Sequence, residues 1–94
     1  MIIHCLGGGL VGSFVIRRLI SAGYKVHIFD IDDIGIKGAI MHVGDAITAD
    51  HSDADLIINM LPGGVGHLAT TSLANTGQRI LDLSFSASTD GADN

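Results

Sequence analysis

Three glycines near the N-terminus have the spacing of a turn that holds phosphate groups. Gly7, Gly9 and Gly12 form the pattern G-x-G-x-x-G and directly follow the apolar run at residues 1–6. The first glycine of such a turn permits a tight exit from a strand, and the second lets a pyrophosphate approach the backbone. The third lets the next helix pack closely on the sheet, while the amides that begin this helix face the phosphates. The pattern therefore predicts a nucleotide site between a strand and a helix.

A carboxylate stands where such a site needs one. Asp30 ends the run Lys-Val-His-Ile-Phe-Asp, 18 residues beyond Gly12, and a carboxylate there can accept hydrogen bonds from the ribose hydroxyls of adenosine. A 2′-phosphate would be repelled by this charge and by Asp32 and Asp33. NAD is therefore the expected cofactor, with NADP less favoured. The alternative for Asp30 is a surface acid in a turn.

Two further segments are expected beside the cofactor. Asp45 is a good capping residue for the segment that follows it, and it could instead approach the adenine edge. Ala46 and its neighbours would line the adenine side through backbone atoms. Met60, Leu61 and Pro62 close the fourth predicted strand, where they would pack near the ribose and nicotinamide half, although Pro62 also has a sufficient structural role in ending the strand.

The remaining reactive side chains give no catalytic set. His67 lies near the start of a predicted helix, where a lone histidine is more often capping or solvated than an acid–base catalyst. Cys5 is expected to be a buried, inert thiol, because His4 beside it would point to the opposite sheet face. The other histidines are expected in strands or exposed turns; they are His4, His27, His42 and His51. We find no metal-ligand spacing and predict no metal site.

The periodicity of apolar residues places these positions on an α/β framework. Strands are predicted at residues 1–6, 25–30, 39–43, 54–61 and 79–84, and helices at residues 10–22 and 65–76. The connection at residues 31–38 is too short for a full crossover helix, and residues 47–53 are predicted as a polar turn or a short helix. The result is a Rossmann-like, doubly wound parallel sheet in the order 3-2-1-4-5, with helices on both faces and a reduced connection after strand 2. Its crevice lies outside the carboxyl ends of strands 1 and 4.

Length and composition limit the partners. The 94 residues suffice for one domain, predicted as a dinucleotide-binding unit at residues 1–86 with a polar tail or linker at residues 87–94. A net charge of −5 argues against binding to nucleic acid. The sequence contains no run of 18 apolar residues, which argues against a membrane span. A single cysteine and no signal-peptide pattern favour a cytoplasmic location. Apolar residues make up 47% before the 13 glycines are counted, which indicates a partner domain, a partner subunit, a homo-oligomer or simply a buried parallel sheet.

With these motifs, the chain resembles the cofactor-binding domain of the saccharopine dehydrogenase-like oxidoreductases over about residues 1–86. The likeness rests on Gly7-Gly8-Gly9-Leu10-Val11-Gly12, on Ala54-Asp55-Leu56-Ile57-Ile58-Asn59-Met60-Leu61-Pro62, on His67-Leu68-Ala69, and on Leu81-Asp82-Leu83-Ser84-Phe85. Two departures are the short connection after Asp30 and the absence, after Phe85, of the substrate and catalytic domain that the family carries.

The resemblance implies an NAD(P)-linked oxidoreductase that acts on carbon–nitrogen bonds derived from amino acids, with this chain as its cofactor-binding part. It implies that the segment formed by Gly7, Gly9, Leu10, Val11 and Gly12 contacts the pyrophosphate. Asp30 would contact the ribose, Asp45 and Ala46 would lie near adenine, and Met60, Leu61, Pro62 and Ser84 would point towards the nicotinamide. The chain alone is not expected to turn over a substrate.

Two other classes share parts of this pattern. A regulatory nucleotide-sensing module, similar to the NAD-binding domains of potassium-transport regulators, would also fit Gly44-Asp45-Ala46 and Ala54-Asp55. A methyltransferase is less favoured, because Cys5 stands where that family usually has an acid before the first glycine.

Overall fold

The chain forms a five-stranded, all-parallel sheet, seen in a computed structural model that describes residues 1–73 and 77–83 apart from the side chain of His67. The strand order is β3-β2-β1-β4-β5, as the sequence predicts for an α/β, Rossmann-like fold. The elements follow one another along the chain as β1 (Ile2–Leu6), α1 (Gly9–Ser21), β2 (Lys25–Asp30), β3 (Ile40–Val43), β4 (Leu56–Asn59), α2 (Gly63–Leu73) and β5 (Ile80–Asp82).

The two faces of the sheet have separate cores because side chains alternate along each strand. Ile3, Cys5 and Ile28 pack with Ile16 of α1 on one face. Leu6, Phe29 and Ile57 pack with Ala69 and Leu73 of α2 on the other. One helix therefore covers each face, and the order of the strands reverses between β1 and β4, which are hydrogen-bonded neighbours.

The connections before and after β3 are both reduced. No helix forms in residues 31–39, which is the irregular path predicted after strand 2, and Ile36 packs from this segment against the face under α1. Residues 44–55 form turns rather than a helix and cross the face under α2, where Ala46 is buried. The part of this face formed by β2 and β3 is consequently covered only by a short irregular segment.

The element bounds differ from the predicted ones mainly at strand ends. The fourth strand was expected over residues 54–61, but β4 spans Leu56–Asn59, because its partner strand offers Ile3 to Leu6 and then turns away at Gly7. Helix α2 begins at Gly63, two residues before the predicted start. The fifth strand was expected over residues 79–84, but β5 spans only Ile80–Asp82. The predicted end of α2 at residues 74–76, the predicted last strand residue 84 and the predicted tail lie outside the described residues.

Gly7 makes the turn out of β1 possible. Its φ of +81° is in the region that favours glycine, and a Cβ there would lie 3.0 Å from Leu61 Cδ2 and 3.3 Å from the Met60 carbonyl oxygen. The Gly7 amide also donates to the Phe29 carbonyl oxygen at 2.8 Å. Both the backbone conformation and the lack of space therefore require glycine here.

Candidate functional site

A crevice of about 860 Å³ opens at the carboxyl edge of the sheet, at the point where the strand order reverses. It brings together all of the predicted site residues that the structure describes. They are Gly7, Gly9, Leu10, Val11, Gly12, Asp30, Asp45, Ala46, Met60, Leu61 and Pro62. Ser84, the remaining predicted contact, lies outside the described residues.

The glycine turn presents backbone amides to this crevice. Helix α1 begins at Gly9 and has no side-chain hydrogen bond at its N-cap, Gly8, so the amides of its first turn are available to an acceptor in the crevice. Gly9 has a φ of +64°, and a Cβ built on it would meet nothing within 4 Å. The space beside Gly9 therefore fits a group that approaches the backbone, and the helix dipole favours a negatively charged one.

The third glycine contributes less by steric need than its motif suggests. Gly12 is buried, but a Cβ on it would lie 3.5 Å from the Sδ and Cε atoms of Met60, which is ordinary van der Waals contact. An alanine at position 12 would therefore be accommodated, so the approach of α1 to the sheet does not itself require glycine.

Two carboxylates line the crevice, and that of Asp30 lies against the glycine turn, with its Oδ2 3.3 Å from where a Cβ on Gly8 would stand. Asp30 is half-buried at the end of β2, and its Oδ1 accepts a hydrogen bond from the Asp32 amide at 3.2 Å. Asp45 is exposed, and its Oδ1 accepts from the Ile47 amide at 2.9 Å. Asp45 thus makes the local turn contact that its capping role predicts, while it also lines the crevice.

Asn59 fixes the position of the crevice wall that Met60, Leu61 and Pro62 form. Its buried side chain donates to the Gly66 carbonyl oxygen at 2.7 Å and to Thr70 Oγ1 at 2.9 Å, and it accepts from the Leu61 amide at 3.1 Å. These bonds connect the end of β4 with the first turns of α2. They explain physically why an asparagine precedes the Met60–Leu61–Pro62 segment at this spacing.

The crevice is acidic and largely apolar. None of the chain's Lys and Arg side chains lines it, and Arg79 lies at the opposite edge, where its carbonyl oxygen accepts from the Ile57 amide. A 2′-phosphate would therefore meet Asp30 and Asp45 without a compensating cation. Any charge on a bound phosphate must be stabilised by backbone amides and by the α1 dipole.

Several apolar residues of the crevice escape sequence analysis. Ile31, Ile47, Val65, Leu68 and Leu83 line it. Ile31, Ile47 and Leu83 lie just after a strand or in a turn, and Val65 and Leu68 are apolar positions within α2, so sequence analysis assigns none of them to the site. Leu10, Val11, Ile31, Val65 and Leu68 are also among the most exposed large apolar side chains, with Leu10 at 91%. Part of the chain's high apolar content is therefore displayed around the crevice mouth rather than buried.

The burial of the cysteine and histidine side chains outside the crevice agrees only partly with the prediction. Cys5 is fully buried, and burial raises the pKa of its thiol to about 12, so it is inert as expected. The prediction that the other histidines occupy strands or exposed turns is wrong for His51, which lies in a turn but is buried against His4 and Phe29. Among the described residues, no three His, Cys, Asp or Glu side chains are arranged to hold a metal ion.

Comparison of the chain with models of known protein families gave no match, and neither did comparison with curated proteins. The likeness to saccharopine dehydrogenase-like oxidoreductases accordingly rests on the sequence motifs alone. In the part of the chain that the structure describes, no helix is both long enough and apolar enough to cross a membrane.

Proposed function

We propose that this chain binds a dinucleotide, NAD in preference to NADP, and serves as the cofactor-binding domain of an oxidoreductase. The observation that supports this most strongly is the convergence of eleven predicted residues, from four segments of the chain, on one crevice at the switch point of a parallel sheet. Open α/β sheets bind their ligands at that position.

The residues of the crevice fit the parts of a dinucleotide in order. The amides that begin α1 suit the pyrophosphate, since the space beside Gly9 is open. The Asp30 carboxylate suits the adenosine ribose, and the backbone at Ala46 suits the adenine side. Met60, Leu61 and Pro62 offer an apolar surface for the remaining half of the cofactor.

In an oxidoreductase the nicotinamide supplies hydride transfer, and the protein supplies binding, orientation and the exclusion of water. In this proposal the glycine turn and the carboxylates supply the binding and the orientation of the cofactor. We also propose the class that the resemblance implies, an oxidoreductase acting on carbon–nitrogen bonds of amino-acid derivatives. A cytoplasmic location is part of the same proposal. So is a catalytic domain, a partner subunit or a second copy of the chain beside the crevice.

Calorimetric titration of the full chain with NADH, NADPH, ATP and S-adenosylmethionine tests the proposal. We expect NADH to bind tightest and Asp30→Ala to weaken it by about tenfold, since a charge-assisted hydrogen bond contributes roughly 1.5 kcal/mol or more. Asp33→Ala is the matched control, because Asp33 is an exposed neighbouring acid whose Oδ1 accepts only from the Gly35 amide among its described contacts.

The other outcomes discriminate between protein classes. Tightest binding of ATP would favour the regulatory nucleotide-sensing module, and tightest binding of S-adenosylmethionine would favour a methyltransferase. Equal binding of NADH and NADPH would contradict the role of Asp30 in choosing the cofactor. Absence of binding to all four compounds would contradict the proposal as a whole.

A further inference from the structure

A group of imidazole rings lies directly behind one wall of the crevice. This histidine cluster consists of His4, His27, His42 and His51, packed around Phe29 with ring centroids 4.3 to 5.2 Å apart. His4 and His27 are register partners on β1 and β2, and His42 lies beside Phe29 on β3. The cluster occupies the sheet face that residues 44–55 cross without a helix, and it borders a second cavity of about 590 Å³.

The same short segment closes both cavities. Gly44 and Asp45 line the crevice on one side and the second cavity on the other. His51, from this segment, has an exposure of 3% and donates from Nε2 to the Ala46 carbonyl oxygen at 2.6 Å. The wall of the crevice at residues 44–47 is thus held against the sheet through a ring of the histidine cluster.

Two neutral rings carry enough protons for the two hydrogen bonds of His4 and His51, but not for the contact of His4 with Asp53. His51 Nε2 must carry a proton to donate to Ala46, and the contact between the two Nδ1 atoms, at 2.9 Å, needs a second. His4 Nε2 then faces Asp53 Oδ1 at 3.1 Å with a lone pair and has no hydrogen-bond partner. One additional proton would complete this network, but it would place a positive charge on His4, which is buried among the other imidazoles.

Burial opposes that additional proton while the wall is closed. It lowers the pKa of His4 to about 4, an effect that the other three imidazoles reinforce and Asp53 opposes. Burial also lowers the pKa of His27, with His42 and Lys25 adding to the effect and Asp53 opposing it. Asp45 and Asp50 border the cavity as well, whereas α2 contributes Ala69 and Leu73, which do not titrate, to this face.

We propose that the histidine cluster is a proton-sensitive support of the crevice wall, so that acidification releases residues 44–53 from the sheet and weakens ligand binding. The ligand part of this inference rests on the proposed function. A ring that becomes hydrated when the wall opens regains its ordinary proton affinity, so opening takes up protons. For the His4 ring, whose pKa is about 4 in the closed wall and 6.5 when hydrated, the ratio of open to closed wall rises about tenfold between pH 7.5 and 5.5.

The test uses the full chain and two independent measurements. The first is an NMR titration from pH 7.5 to 5.0 of the His51 Nε2–H signal and of the amides at residues 44–53, with the amides of α1, which packs on the other face of the sheet, as internal reference. The second is the dissociation constant of NADH at pH 7.5, 6.5 and 5.5. We expect the wall signals to change below pH 6.5 while the reference amides stay in place, and the dissociation constant of NADH to rise at pH 5.5 in proportion to the loss of the closed population that the wall signals report.

Two variants separate this device from a general effect of acid. His4→Phe keeps a ring in the cluster without a titratable group, and we expect it to reduce the pH response of both measurements severalfold. His42→Gln is the matched control, because His42 is already exposed in the closed wall and gains little hydration on opening; it should keep most of the response.

Three results would overturn the inference: wall signals that do not change down to pH 5, reference amides that change together with the wall, or a full response in His4→Phe. If that variant fails to fold, the titration of the unaltered chain still decides. If NADH does not bind at any pH, the proposed function fails, while the NMR titration continues to test the support of the wall.

Discussion

Gly9 is important both for the backbone conformation of the glycine turn and for the proposed binding of a phosphate. Its φ of +64° costs an L-residue roughly 1 kcal/mol or more, and its missing side chain leaves open the space in front of the α1 amides. Gly7, by contrast, is required by the turn itself, because a Cβ there would contact Leu61. The two positions therefore predict different consequences of substitution.

Gly9→Val should lower the affinity for NADH by at least tenfold, because its side chain would occupy the space expected for a phosphate and its backbone would be strained. Calorimetry at neutral pH measures the effect, and circular dichroism verifies the fold. Gly64→Ala is the control: Gly64 lies in α2, has no positive φ and has open space around it. A twofold or smaller change in Gly9→Val would show that no ligand group approaches this part of the backbone.

At the scale of elements, the connection between β4 and α2 depends on one buried amide. Asn59 has an exposure of 1% and makes three hydrogen bonds, which link the end of its strand, the crevice loop and α2. Such a side chain fixes the position of a loop that has little core of its own. It contributes to the crevice by positioning Leu61 and Pro62 rather than by contacting a ligand.

Asn59→Leu should lower the free energy of unfolding by about 2–4 kcal/mol, because it removes the partners of buried polar groups. Urea denaturation measures the change. Thr70→Val, which removes one hydroxyl from the same network, should cost about 1 kcal/mol and serves for comparison. An Asn59→Leu variant as stable as the unaltered chain would mean that the loop is held by the packing of its apolar residues instead.

Strand and helix identities follow from sequence because they depend on local patterns. The alternation and β-branching of residues 25–30 predict β2 with its observed bounds, and the glycine turn predicts where α1 begins to within one residue. The crevice residues follow too, because parallel strands bring their carboxyl ends to one edge. The ends of β4 do not follow, since they depend on how long its partner strand remains alongside.

Contacts between distant segments are the part that local patterns miss. His51 lies between Asp50 and Ser52 in a polar stretch, which predicts an exposed turn, yet it is buried against His4, 47 positions away. Likewise, Ile31 and Ile47 have no pattern that marks them as crevice residues. Both findings depend on how the short connections around β3 cross the sheet, which periodicity does not specify.

At the scale of the whole molecule, the two reduced connections make the fold dependent on polar groups where other doubly wound domains use a helix. The segment at residues 44–55 is held by His51 and by Gln78, whose side chain donates to the carbonyl oxygens of His51 and Ala54. The first contact involves a ring within the histidine cluster, and the second does not change with pH. The stability of the domain should therefore fall on acidification without vanishing.

The sign of this effect follows from the depressed pKa of His4. The ring has a pKa of about 4 when folded and 6.5 when unfolded, so between these values the unfolded chain binds the proton and the folded chain does not. Stability is complete above pH 6.5 and is lost as pH falls towards 4, by about 3 kcal/mol in total from this ring. Urea denaturation at pH 7.5 and 4.5 should show most of this loss, and His4→Phe should remove it. The lowered pKa of Asp50 contributes mainly below this window, so an unchanged pH dependence in His4→Phe would assign the loss to a group other than His4.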